Sequence, residues 1–211
     1  MKKDRGDIET KEQFIERNIK WWKTNEKHER ETRKHYYDDF VQRHNIPKSF
    51  FGTVGEVGPG PFGGVLEVCD IKANKKVFID YIMDELKKLN FISWPMEAEY
   101  YTCPVEDLSM IPDNHIDLLI SYNAVDHGWD IWKGLRECLR ISKSFVVNFD
   151  CRGDTDTGRE KLDLDHFQRI CARDSISFFE SFRIPFVFKH FKGVPDSVEF
   201  YVEDCSSVRT K

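Results

Sequence analysis

Three glycines and a scatter of acids stand at spacings that suit a bound nucleotide. In the stretch Thr53-Val-Gly-Glu-Val-Gly-Pro-Gly-Pro-Phe-Gly-Gly64, Gly58, Gly60 and Gly63 fit a G-x-G-x-x-G pattern. There the missing β-carbons allow a tight turn, close backbone approach to a ligand and close helix–strand packing. Glu56 stands just ahead of that loop. Glycine and proline clusters also build ordinary turns, so the pattern takes its meaning from the residues on its C-terminal side. Asp80 comes about 20 residues after the first glycine, closing an apolar run, where a carboxylate can accept two hydrogen bonds from a ribose diol. Farther on, either Glu106 or Asp107 can accept from an adenine amino group while the other caps a turn. Asn123 to His127 close another apolar run, and Asp150 and Arg152 close the next, within reach of a substrate.

These residues need a scaffold that brings strand ends together. Residues 8 to 46 read as a helix, with Thr10 as N-cap and Ile15, Ile19 and Trp22 at i, i+4, i+7 spacing. Its charged middle, 23 to 35, reads as a solvated face with i, i+4 ion pairs. Ile46-Pro47 ends it, because a residue before proline is pushed out of helical geometry. Strands are expected at 52 to 57, 76 to 80, 99 to 102, 116 to 121 and 144 to 149, with a helix from Tyr81 to Leu89. Strands alternating with helices imply parallel βαβ units. Phe178 to Lys189 and Ser197 to Val202 read as two more strands, joined so closely that they pair as an antiparallel hairpin. The expected fold is α/β: a Rossmann-like doubly wound seven-stranded sheet with a C-terminal hairpin. The expected division is an N-terminal helical cap over 1–46 and a cofactor-binding domain over 47–211. In a doubly wound sheet ligands sit outside the carboxyl ends of the strands, where every residue named above falls.

Taken in order, these segments resemble the class I S-adenosylmethionine-dependent methyltransferases, in particular the small-molecule "type 11" group, over about residues 50 to 205. GEVGPGPFGG is similar to that family's first motif and FIDYIMDEL to its second strand with the ribose-binding acid. PVEDLSMIPDNHIDLLISYNAVDHGWD is similar to its adenine loop, fourth strand and following loop. The closing hairpin corresponds to the family's last two strands. Pro59 and Pro61 stiffen the first motif relative to the family, and Leu139-Arg-Ile-Ser-Lys-Ser144 replaces a common L-K-P-G-G turn.

The resemblance implies S-adenosylmethionine as cofactor, held by Glu56, Gly58, Gly60, Gly63, Asp80, Glu106, Asp107 and Asn123. It implies a small-molecule acceptor methylated at oxygen or nitrogen. Methyl transfer needs a positioned nucleophile, excluded solvent and sometimes a base. His127 is the candidate base, since an unperturbed imidazole titrates near neutrality. Asp126 beside it is placed to orient the ring or to bind substrate. Trp21, Trp22 and Tyr37 are candidates for a lid that excludes water.

Composition narrows the alternatives. A chain of 211 residues, 40% hydrophobic and 33% charged, fits one well-filled domain or one domain plus a short appendage, and a net charge of −5 argues against a nucleic-acid backbone as main partner. No apolar run approaches the roughly 20 residues that span a bilayer, and MKKDRGDIETKEQ lacks the apolar core of a signal peptide. A cytoplasmic protein is expected, and a homodimer is compatible with the sequence. The six cysteines lie apart without a C-x-x-C pair, so no metal is expected. His166, His190 and the acids Asp154 and Asp156 could join a metal only if folding gathered them. Two rivals share the glycine loop. An NAD-dependent oxidoreductase would use Asp80 but neither the acid after the third strand nor the hairpin, and a catalytically silent methyltransferase-like subunit would hold cofactor or a partner through its N-terminal helix.

Overall fold

The structure is a computed structural model that describes residues 10–88, 98–151, 171–191 and 196–205. It opens with helix α1 (Lys11–Arg43), whose start is fixed by a capping box. The Thr10 hydroxyl accepts from the Gln13 N–H at 3.3 Å, and the Gln13 side chain accepts from the Thr10 N–H at 2.8 Å. The charged middle carries i, i+4 pairs as the sequence predicts: Glu26 with Arg30, Glu29 with Arg33, and Lys34 with Asp38. The helix stops before Ile46-Pro47, with His44 as cap and Asn45 at φ +51°.

Strand β1 (Ser49–Val57) and the short helix α2 (Gly64–Val68) lead to β2 (Lys72–Ile79), α3 (Met83–Lys88) and β3 (Glu99–Tyr101). Then come β4 (Ile116–Tyr122), α4 (Ile131–Ile141), β5 (Ser142–Cys151), α5 (Ala172–Ser181), β6 (Phe186–Phe191) and β7 (Asp196–Val202). All seven strands form one sheet in the order β3-β2-β1-β4-β5-β7-β6. The first five are mutually parallel, and β7 runs antiparallel to both β5 and β6. The order reverses between β1 and β4, which lie side by side with Glu56 opposite Ile120. That juxtaposition is where a doubly wound sheet opens a crevice at its carboxyl edge.

Alternation along the parallel strands feeds two core layers. On one face Val54, Phe78, Leu118, Ile120 and Val146 pack with Tyr37, Phe40 and Val41 of α1, Val65 and Leu66 of α2, and Met83 of α3. On the other, Val77, Leu119, Val147 and Phe149 pack with Leu135 and Leu139 of α4 and Phe178 and Phe179 of α5. The second half of α1 is therefore part of the core. Phe40 is fully buried, worth about 1.5–3 kcal/mol by transfer out of water.

One expectation is corrected. The run from Phe178 to Lys189 is not a single strand: Phe178 to Ser181 close α5, and β6 begins only at Phe186. Ala172, Ser175, Phe178 and Phe179 are all buried, a three-and-four spacing that fits one helix face rather than a pleat. Arg183, at φ +56°, turns the chain out of the helix ahead of Ile184-Pro185. The hairpin itself is present, with Phe188 opposite Phe200.

Among the described residues, no helix is long and apolar enough to cross a membrane, and no group of three or more His, Cys, Asp or Glu could hold a metal ion. His166, Asp154 and Asp156 lie outside the described residues.

Candidate functional site

At the β1–β4 crevice lies a cavity of about 310 Å³. Its floor is Val57, Gly58 and Gly60 after β1, with Ile79 and Asp80 at the end of β2. One wall is the loop from Cys103 to Glu106 and another is the loop after β4, including Asn123, His127 and Trp129. The roof is the first half of α1 together with Arg33.

The glycine loop is shaped by contacts as well as by turning. Gly60 stands at φ +61°, and a β-carbon there would lie 2.9 Å from the Trp22 ring. Its N–H points to the Asp80 carboxylate at 3.4 Å. Gly64, outside the sequence pattern, also has positive φ, and a β-carbon on it would collide with the Glu56 carboxylate. Glu56 accepts from the N–H groups of Val65 at 2.7 Å and Leu66 at 2.9 Å. Burial pushes its pKa up to about 8, against the pull of those two N–H groups. Glu56 and Gly63, the N-cap of α2, thus set the loop's exit and do not line the cavity.

Asp80 does line it. Its Oδ1 accepts from the Ile82 N–H at 3.0 Å, which holds the carboxylate at the mouth of β2. Burial pushes its pKa up to about 6, opposed by the Ile82 and Gly60 N–H groups. Hydroxyl donors from a ligand would stabilise the ionised form. Of the two acids after β3, only Glu106 faces the cavity. Its Oε1 accepts from the Asp130 N–H at 2.8 Å, while its Oε2 is buried with no hydrogen-bond partner. An orphaned buried acceptor of this kind is costly to the fold. Asp107 is exposed and accepts from the Ser109 N–H at 3.4 Å, capping a turn.

After β4, Asn123 takes φ +49° and donates its N–H to the Asn148 carbonyl at 2.8 Å, which fixes the loop to β5. Asn123 and His127 both line the cavity. Asp126 does not: it is buried, and its Oδ2 accepts from the Asp150 N–H at 3.1 Å. It therefore braces the His127 turn against β5. Asp150 lies beyond the cavity lining, and Arg152 is outside the described residues.

The roof divides the expected lid residues. Trp21 and Trp22 line the cavity, whereas Tyr37 is in the core, edge-on to Tyr122 at 5.0 Å. Arg33 links the two regions, its guanidinium 4.3 Å from the Trp22 ring and donating to the Tyr37 hydroxyl at 2.8 Å. Farther out, Phe14, Tyr81 and Trp129 meet pairwise at 5.0 to 5.7 Å, joining α1 to the loops after β2 and β4. The sequence reading missed these three together with Arg17, Asn18 and Cys103. Phe14, Arg17, Asn18 and Trp21 form a stripe at i, i+3, i+4, i+7, rotated one position from the Ile15–Ile19–Trp22 stripe. That second stripe was the available signal. The thiol of Cys103 is pushed up to about 11 by burial, so it meets a ligand as a neutral apolar group.

No protein-family model matches the sequence, and no curated protein matches it. Solved structures do. A protein of Methanococcus maripaludis named as an S-adenosyl-L-methionine-dependent methyltransferase is similar at 15% identity and a TM-score of 0.62, over 90% of this chain and 93% of that one. A complex of the Haloferax volcanii Trm112 methyltransferase activator with a methyltransferase contains a chain similar at 15% identity and a TM-score of 0.64, over 87% and 96%. The [4+2]-cyclase SpnF is similar at 17% identity and a TM-score of 0.54, over 74% and 59%. The shared architecture, a seven-stranded sheet closed by an antiparallel β7, shows that this chain has the class I methyltransferase fold.

Proposed function

We propose that the chain is an S-adenosylmethionine-dependent methyltransferase that modifies a small-molecule acceptor at oxygen or nitrogen. The observation that carries this reading is the cavity at the β1–β4 crevice, which two acidic residues, Asp80 and Glu106, both line. A nucleoside offers a diol to the first and an amino group to the second, so the residues fit the cofactor. Fold alone would be weaker support, since SpnF, of similar fold, is named as a cyclase.

S-adenosylmethionine, when bound, would supply an electrophilic methyl group to the acceptor's oxygen or nitrogen, with a neutral thioether as the leaving group. Asp80 would hold the ribose end, Glu106 the base, and the backbone of Gly58 and Gly60 the amino-acid end. Glu56 and Gly63 position the loop, while Asn123 shapes the wall beside the acceptor. His127 accepts the proton that the acceptor loses, and Asp126 holds the His127 turn in place. Phe14, Trp21, Trp22 and Trp129 keep water from the reacting centre. Within the N-terminal segment 1–46, the described part of the first half acts as a cap and the second half as an anchor, with 47–211 as the cofactor-binding domain.

Calorimetric titration with S-adenosylhomocysteine and, separately, with NADH tests this reading. Binding of the former alone is expected. Binding of NADH alone would replace it with an oxidoreductase, and silence from both would point to a non-catalytic subunit. Once an acceptor is known, His127→Ala should lower kcat far more than it weakens cofactor binding; unchanged steady-state turnover would remove His127 as the base.

A further inference from the structure

The roof of the cavity is fastened to its floor by contacts that reach outside the cavity. Trp22 of α1 is seated on the glycine loop: a β-carbon on Gly60 would lie 2.9 Å from its ring, and the ring meets Phe62 edge-on at 5.6 Å. Arginines from farther along α1 cover both rings. The Arg33 guanidinium stands 4.3 Å from the Trp22 ring and 5.9 Å from the Phe62 ring, and the Arg30 guanidinium stands 4.3 Å from Phe62. Each is aimed by a carboxylate one turn back, Arg30 by Glu26 at 3.0 Å and Arg33 by Glu29. In this way α1 grips the turn Gly60–Phe62. The same turn bears on the floor, since the Gly60 N–H points to the Asp80 carboxylate.

A second attachment lies two helical turns earlier, where Phe14 packs against Tyr81 and Trp129. Between the two attachments runs about 12 Å of helix, carrying Arg17, Asn18 and Trp21 along the cavity. Phe14 and Trp22 line the cavity themselves, whereas Phe62 and Arg30 do not. On the methyltransferase reading, on which this inference rests, the cofactor lies under this span and is exchanged at every turnover. We infer that α1 is a gate on cofactor exchange, latched to the glycine loop by Trp22, Phe62, Arg30 and Arg33, so that cofactor enters and product leaves while the latch is parted. Trp22, Phe62 and Arg33 are half-buried and Arg30 is exposed, which puts the latch in the part of the fold that opens at least cost.

A gate differs kinetically from a ligand contact. Contacts that hold the closed state with or without ligand slow association and dissociation alike and leave affinity nearly unchanged. A residue that supports the bound ligand instead changes dissociation and affinity together. Phe62→Ala separates the two, because Phe62 holds Trp22 from outside the cavity. Stopped-flow mixing of the full chain with S-adenosylhomocysteine, followed by tryptophan fluorescence, gives both rates, and calorimetry gives Kd. Phe62→Ala should raise both rates about fivefold, the scale for losing a ring–ring and a cation–π contact, and should change Kd less than about twofold. Phe62→Tyr, which keeps the ring, should behave as wild type. Arg30→Gln, at an exposed position, should raise both rates by about twofold. Unchanged rates in Phe62→Ala and Arg30→Gln would overturn the gate. Faster dissociation with unchanged association would also overturn it, making the turn a support of the bound ligand. If S-adenosylhomocysteine fails to bind wild-type protein in the calorimeter, the underlying methyltransferase reading fails first, a result distinct from those above.

Discussion

The two halves of α1 are made from one continuous helix and serve opposite ends. From Tyr37 onward the helix is held by core packing, and its end is tied to β7 by a buried carboxylate, Glu199. His44 Nε2 lies 2.8 Å from Glu199 Oε2 and Arg43 Nη2 donates to Oε1 at 2.5 Å, while Lys189 on β6 donates to the Arg43 carbonyl at 2.8 Å. The first half instead rests over the cavity on half-buried side chains, Phe14 and Trp22, with Trp21 41% exposed at its edge. Local stability follows buried contact, and elements that open for ligands are drawn from its low end. The contrast fits the proposed lid: the second half is fixed by core packing, whereas the first half is held through partly exposed aromatic contacts at the cavity.

The sharpest way to break this contrast is to truncate one phenylalanine in each half. Phe40→Ala should cost about 3–5 kcal/mol in urea denaturation, the usual loss for a fully buried ring. Phe14→Ala should cost under ~1 kcal/mol while weakening S-adenosylhomocysteine binding. Equal losses of stability would erase the distinction between the halves.

Glu199→Gln probes the anchor electrostatically. Burial pushes Glu199 up, but hydrogen bonds from His44 and Arg43 outweigh it and hold its carboxyl below the ordinary value. A lowered carboxyl pKa gives stability that is present above the unfolded value and lost as pH falls through the folded one. Glu199→Gln should therefore destabilise by about 3 kcal/mol at pH 7, the scale for stranding a buried partner. The deficit should shrink below about pH 4. Denaturation midpoints that differ by the same amount at pH 7 and pH 3.5 would contradict the pair's role.

Asp80 tests the other side of the cavity. Asp80→Ala should weaken S-adenosylhomocysteine binding by roughly 1.5–3 kcal/mol, the range for hydrogen bonds to a charged group. Unchanged calorimetric affinity would take Asp80 out of the site.

The smallest expected effect is on pH dependence. Burial pushes the Asp80 pKa up to about 6, so if ribose hydroxyls donate to its ionised form, as proposed, affinity should rise with pH through that value. At pH 5 it should be about tenfold weaker than at pH 7.5, and Asp80→Asn should flatten the curve. The same raised pKa makes Asp80 costly to the ligand-free fold above pH 6, since a carboxyl raised on folding contributes stability that is lost as pH rises through its folded value. Asp80→Asn should accordingly stabilise the free protein by about 1 kcal/mol at pH 7.5 while weakening cofactor binding, and thermal melts read that gain directly.

Much of the architecture is legible in the sequence, for reasons that differ by residue. The strands of the parallel sheet, the loop at Gly58 and Gly60, and the strand-end positions of Asp80 and Glu106 follow from apolar runs broken by small or acidic residues. Side-chain direction is less legible. Glu56 and Asp126 stand next to cavity residues in sequence but point to backbone N–H groups of α2 and β5, since neighbours on a strand or tight turn face different ways. The choice of Glu106 over Asp107 has the same origin. Phe178 misleads because a dense phenylalanine run suits a helix face or a strand equally, and packing against β7 decides between them. The Glu199 anchor joins residues far apart in the chain, and no local pattern announces such a pair.

Hydrogen exchange along α1, with and without S-adenosylhomocysteine, tests the central claim most directly, because it reads the proposed lid and ligand binding together. Amides of residues 14 to 22 should exchange readily in the free protein and slow at least tenfold with ligand, while those of residues 37 to 43 should be protected in both states. Uniform protection along the helix, or slowing confined to its second half, would contradict it.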